Sequence, residues 1–76
     1  MPIQTFLAEI MTRRGISRMD IVRGANISYP AVMRWENNQL KRLDPVTAGK
    51  LKRFLDVNDD DLYLIYEEDE DENDLD

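Results

Sequence analysis

Apolar positions recur along this chain in short stripes with helical spacing, separated by polar breaks. Ile3, Phe6, Leu7, Ile10 and Met11 fall at i, i+3, i+4, i+7 and i+8, one face of an amphipathic helix, and Gly15 ends it. Ser17 with Asp20 three residues later has the form of a capping box and opens a second helix through about Arg23, with Ile21, Val22 and Ala25 inward. Gly24-Ala25-Asn26 breaks that pattern, and Asn26 suits a left-handed turn. Ser28 is an N-cap for a third helix reaching about Asn37, with Pro30 in its first turn. Val32 and Trp35 point to one side of this helix, while Pro30, Met33, Arg34 and Asn37 share the other.

Residues 37–43 have no sustained period and read as a polar, basic loop. Asp44-Pro45 starts a fourth helix whose inward stripe is Ala48, Leu51 and Leu55, with Phe54 flanking it and Lys50, Lys52 and Arg53 on the solvated side. Asn58 with Asp61 repeats the cap pattern, and Asp59 to Asp61 suit the positive end of a fifth helix carrying Leu62, Ile65 and Tyr66. The expected architecture is all-α: a five-helix domain over residues 1–66, with a helix-turn-helix at helices two and three. Residues 67–76, nearly all acidic, can bury almost nothing and are expected to form a solvated, disordered tail.

Composition narrows the chemistry. The chain has 76 residues, no cysteine and no histidine, so it carries no disulfide and lacks the usual zinc ligands and the commonest general base. No metal site, cofactor or catalytic residue is expected. Neither a membrane-length apolar run nor a secretory signal is visible, which points to the cytoplasm. The net charge of −6 looks unfavourable for nucleic acid until it is divided along the chain. Residues 1–58 hold all ten Lys and Arg and five acids, a net +5; residues 59–76 hold the other eleven acids and no base. A basic body with an acidic end says more about partners than the overall charge does.

Specific runs resemble the Cro and phage-repressor type of helix-turn-helix DNA-binding domain, the xenobiotic-response-element family. Arg-Gly-Ile-Ser-Arg-Met-Asp-Ile at 14–21 is similar to that family's opening of helix two, and Ile-Ser-Tyr-Pro-Ala-Val-Met-Arg-Trp-Glu-Asn-Asn at 27–38 to its signature through helix three. Leu51 to Leu62 looks like its closing segment. The resemblance covers about residues 3–66 and implies a lambda-repressor-like fold and a sequence-specific transcriptional regulator, bacterial or phage and nucleoid-associated when bound to DNA. It departs from the family pattern in carrying arginine at Arg18 for glutamine, asparagine at Asn26 and Asn38 for glycine, and Pro30 where a hydrogen-bonding base reader is common.

The resemblance also assigns roles. Tyr29, Pro30, Met33 and Arg34 would face the bases of the major groove, and only Arg34 has the fork that reads guanine O6 and N7 together. Ser28, Asn37, Lys41, Arg42 and Arg18 would hold phosphates. Duplex DNA is the expected partner, bound as a homodimer, with Tyr63 and Leu64 as interface candidates. An alternative is a protein-binding module of the same fold, an antitoxin or accessory factor, docking through the Tyr29/Pro30/Met33 patch. Trp35 reads as core and Glu36 as the partner of a nearby arginine. Arg13 and Arg14 divide evenly between helix-end charges and DNA contacts. The acidic tail has three readings: a solubilising end, a docking segment for a basic protein partner, and an intramolecular competitor of phosphate for the basic body.

Overall fold

The computed structural model describes residues 3–65. Its elements run β1 (Ile3–Thr5), α1 (Leu7–Arg14), α2 (Arg18–Ala25), α3 (Tyr29–Glu36), α4 (Pro45–Leu55), α5 (Asp59–Leu62) and β2 (Tyr63–Ile65). The five expected helices are present among the described residues, and α2 runs on through Ala25 rather than stopping near Arg23.

Local chemistry starts and stops these helices. Ser17 and Asp20 form the expected reciprocal cap of α2, the hydroxyl accepting from Asp20 N–H and the carboxylate from Ser17 N–H. Asp44 caps α4, accepting from Val46 N–H at 3.1 Å and from the Thr47 hydroxyl at 2.8 Å. Helices α1 to α4 all run into a left-handed residue: Gly15, Asn26, Asn38 and Asp56, with φ of 66, 59, 58 and 55°. Each left-handed residue turns the next N–H back onto a carbonyl five residues earlier, Ile16 to Met11, Ile27 to Val22, Gln39 to Arg34 and Val57 to Lys52. Met11, Val22 and Lys52 accept there a second bond beside that from the left-handed residue's own N–H, and the extra bond closes the end of each helix. Ile16, Ile27 and Val57, each just past its turn, are drawn onto the core by the same geometry.

The core is built from Leu7, Ile10, Met11, Ile21, Ala25, Ile27, Val32, Trp35, Ala48, Leu51, Leu55 and Leu62. Trp35 is the largest of these, 2 % exposed, and Tyr63 meets it edge-on with ring centroids 6.2 Å apart. Leu40 and Leu43 lean onto the same core from the loop after α3.

Both ends of the described chain depart from expectation. Ile3 was placed at the start of the first helix; it lies instead in β1, antiparallel to β2, with Ile3 opposite Ile65 and Thr5 opposite Tyr63. The fifth helix is one turn long and gives way at Tyr63 to strand, so Ile65 is not helical, and Tyr66 lies outside the described residues. Ile3 satisfies a helical stripe and a strand alternation equally well. Which one forms is decided by a partner some 60 residues away, which no local period reports. The acidic residues 67–76 also lie outside the described part of the chain.

The sheet corner is fastened to α3. Thr5, 7 % exposed, donates its hydroxyl to the Trp35 carbonyl at 2.6 Å, and its N–H reaches Asn38 Oδ1 at 2.9 Å. Phe6 N–H donates to the Leu62 carbonyl at 2.9 Å. Asn38 therefore does two things where the family carries glycine: it accepts positive φ, and it supplies an acceptor to a strand N–H.

Candidate nucleic-acid interface

Helix α3 presents the face that the sequence pattern assigns to it. Val32 and Trp35 are buried; Pro30, Arg34 and Asn37 are exposed, Tyr29 is 40 % exposed and Met33 half-buried. Ser28 caps the helix through its hydroxyl, which accepts from Ala31 N–H at 3.3 Å. No acid lies in the first turn of α3, so the positive end of the helix dipole keeps its attraction for an anion. Pro30 costs nothing there, because N–H groups of the first turn have no intrahelical acceptor.

Arg18, the first residue of α2, ties that helix to α3. Its Nε donates to Glu36 Oε1, and its Nη1 donates to the Tyr29 hydroxyl at 3.2 Å. Tyr29 and Glu36 stand seven residues apart and so share a side of α3. Both partners hold the guanidinium in its charged form, Glu36 more strongly, and raise its pKa above the usual arginine value. Glu36 pairs with an arginine as expected. Arg18, put forward for phosphate, is already engaged, and a phosphate there would share it with Glu36. Its hold on Tyr29 was not visible in the sequence, because nothing local brings positions 18 and 29 together.

The remaining cations divide by partner. Arg14 donates to the Leu55 carbonyl at 2.5 Å, supporting the C-terminal end of α4, which gives it a structural role. Lys50, read as solvated, donates to the Asn26 carbonyl at 3.1 Å, and Lys52 pairs with Asp59 at 2.6 Å. Among the described residues Arg13, Arg23, Arg34, Lys41, Arg42 and Arg53 have no hydrogen-bond or ion-pair partner through their side chains and are exposed. Arg34 projects from α3; Lys41 and Arg42 follow it on the loop, where they rim a shallow concavity floored by Ile3, Leu43 and Ile65.

The two residues offered for dimerisation separate. Strand alternation sends Tyr63 inward onto Trp35 and Leu64 outward, where it is 52 % exposed. Of that pair only Leu64 presents its side chain to solvent as a free apolar surface. Among the described residues no group of His, Cys, Asp and Glu could hold a metal ion, and no helix is long and apolar enough to cross a membrane.

Comparison with known families finds that residues 7–69 match the model of a Cro/C1-type HTH DNA-binding domain. No curated protein and no solved structure matches the chain.

Proposed function

The chain belongs to the Cro/C1-type HTH DNA-binding domain family and is a DNA-binding regulator; we propose that it reads sequence in the major groove through α3. One observation carries this reading: α3 buries Val32 and Trp35 and turns Tyr29, Pro30, Met33 and Arg34 outward from an acid-free N-terminus. Arg34 is the base reader, donating to guanine O6 and N7. Met33 and Pro30 offer only apolar contact, so thymine methyls and groove shape set specificity beside it. Ser28, Asn37, Lys41 and Arg42 hold phosphates on either side. Arg18 holds the Tyr29 ring in place and touches phosphate only in part, since Glu36 shares its charge.

Selection of bound duplexes from a random pool, followed by methylation protection, tests the reading. Guanine N7 lies in the major groove and adenine N3 in the minor, so protection at N7 that disappears in Arg34→Ala is the expected result. Protection confined to adenine N3 would overturn it. A duplex affinity indifferent to salt and to Arg34→Ala, with a protein partner lost on Tyr29→Ala, would favour the protein-docking alternative.

Two copies on one pseudo-palindromic site, joined through Leu64, belong to the same proposal, with half-sites about one helical turn apart. Light scattering on operator DNA that shows one chain per duplex with wild type would remove it. A bacterial or phage regulator of this kind sits on the nucleoid, and a fluorescent fusion spread evenly through the cell would count against that placement.

A further inference from the structure

The concavity formed by Ile3, Lys41, Arg42, Leu43 and Ile65 lies where the described chain ends. Ile3 and Ile65 are cross-strand partners, so they point to one face of the sheet and floor the concavity together, while Lys41 and Arg42 form a positive rim. The next residue after Ile65 begins a segment, residues 66–76, that contains eight acids and no base, with Tyr66 at its start and Leu75 near its end.

We propose that residues 66–76 of the same chain occupy this concavity, Tyr66 continuing the apolar floor and the following acids meeting Lys41 and Arg42. Three features select this occupant. The segment follows directly on Ile65, which itself lines the site, so no span has to be bridged. Its charge is opposite to the rim. Four cations of the body are engaged elsewhere, Arg14 with Leu55, Arg18 with Glu36, Lys50 with Asn26 and Lys52 with Asp59, and of the six without a side-chain partner among the described residues only Lys41 and Arg42 line the concavity. Tethering places the acids near the rim at an effective concentration on the order of millimolar, which a free anion in solution rarely matches.

The consequence for DNA rests on the groove reading above. Lys41 and Arg42 are proposed phosphate contacts, so the segment and the duplex compete for the same two side chains. Duplex binding then displaces the acids, and the competition is strongest at low ionic strength, where both attractions are least screened.

Two measurements on full-length protein test the proposal separately. The chain has no cysteine, so a nitroxide on Asn73→Cys is a single label. Paramagnetic broadening should be greatest at the amides of Ile3 and Lys41 to Leu43 at low ionic strength, weaker along Gly49 to Arg53, and lost in Lys41→Glu/Arg42→Glu. Broadening centred on α4, spread evenly, or unchanged by that double variant overturns the proposal. So does broadening that appears only between labelled and unlabelled copies, which would make a second chain the occupant. In the second measurement, Glu67, Glu68, Asp69, Glu70, Asp71 and Glu72 are changed to Gln or Asn in the whole chain. Duplex affinity should rise about fivefold or more at low ionic strength and converge with wild type at high. Equal affinity at every salt concentration overturns the competition. If neither chain binds duplex DNA, the groove reading fails, and the broadening still decides where the segment sits.

Discussion

The α2–α3 unit and the β1–β2 corner are held by different kinds of contact. In α2–α3 nearly every cap and turn bond closes within five residues, from Ser17 with Asp20 through Ile27 with Val22 to Gln39 with Arg34. At the corner the bonds are long-range: Ile3 with Ile65, Phe6 with Leu62, and Thr5 with both Trp35 and Asn38. A region built from local bonds can form its elements early and tolerate small shifts in the core. A region built from distant ones exists only once the rest has folded, because loop closure precedes any gain from the contact. Since α3 ends at the corner, the surface proposed for DNA is anchored at one end by each kind of contact.

The largest effect on this contrast is expected at Leu62, which is fully buried and lies where α5 becomes β2. Leu62→Ala leaves a cavity in the core and should cost roughly 2–5 kcal/mol in chemical denaturation. Hydrogen exchange on the variant should show the amides of Phe6 and β2 opening well before those of α2 and α3. If all four segments lose protection together, the corner is no separate unit and the contrast fails.

The same contrast explains what the sequence could and could not tell. Ser17, Ser28 and Asp44 announce helices because a cap is a bond between near neighbours, and Val32 with Trp35 shows which way α3 faces because 3.6-residue periodicity is local. The outward row Pro30, Met33, Arg34 and Asn37 was legible for that reason, while Tyr29 came from the family resemblance. Ile3 was misplaced because three residues cannot distinguish the start of a helical stripe from a strand. Thr5 was passed over altogether, and Asn38 was seen only as a substitute for glycine. Its amide oxygen matters because of a strand N–H 33 positions away. The Arg18 bond to Tyr29 and the concavity beside Lys41 were hidden in the same way, each being assembled from segments distant along the chain.

Asn38 provides the next test. Asn38→Ala removes the acceptor for Thr5 N–H and keeps a β-carbon at φ 58° without the polar side chain that lets asparagine tolerate that region, and should cost about 2–3 kcal/mol. Asn38→Gly removes the acceptor and the β-carbon together, relieving the strain, and should recover about 1 kcal/mol of that loss. Thermal or urea unfolding of the two variants separates backbone strain from the hydrogen bond. A glycine variant as stable as wild type would mean that the bond to Thr5 contributes no more than the strain glycine relieves.

A smaller effect is expected inside the locally bonded region. Gly24 sits within α2, where alanine is ordinarily favoured, yet a β-carbon there would run into the ring of Phe54 on α4. Phe54 is 36 % exposed and can swing partly into solvent, so Gly24→Ala should destabilise by only about 1 kcal/mol, overpacking outweighing the gain in helix propensity. In a Phe54→Leu background the same change should be neutral or stabilising. An equal loss in both backgrounds would show that the ring is not the reason for the glycine.

The smallest effects are electrostatic, and they fall at opposite ends of the pH scale. Asp20 is held below the ordinary carboxylate range by the Ser17 N–H and hydroxyl, and Asp44 by the Thr47 hydroxyl and Val46 N–H. A depressed folded pKa means that the stabilisation is present above the unfolded value, about 3.9, and is lost as pH falls through the folded one. Lys52 is raised by its hydrogen bond to Asp59, so its contribution is complete below the unfolded value, about 10.4, and is lost as pH rises through the folded one. Melting temperatures measured across pH should therefore show Asp20→Asn and Asp44→Asn flattening the acid limb, and Lys52→Gln flattening the alkaline limb. Lys52 and Asp59 join α4 to α5, so only the alkaline variant should also speed exchange at the corner. Faster corner exchange in Asp20→Asn would show that capping α2 supports the sheet, and the two regions could no longer be treated as separately fastened.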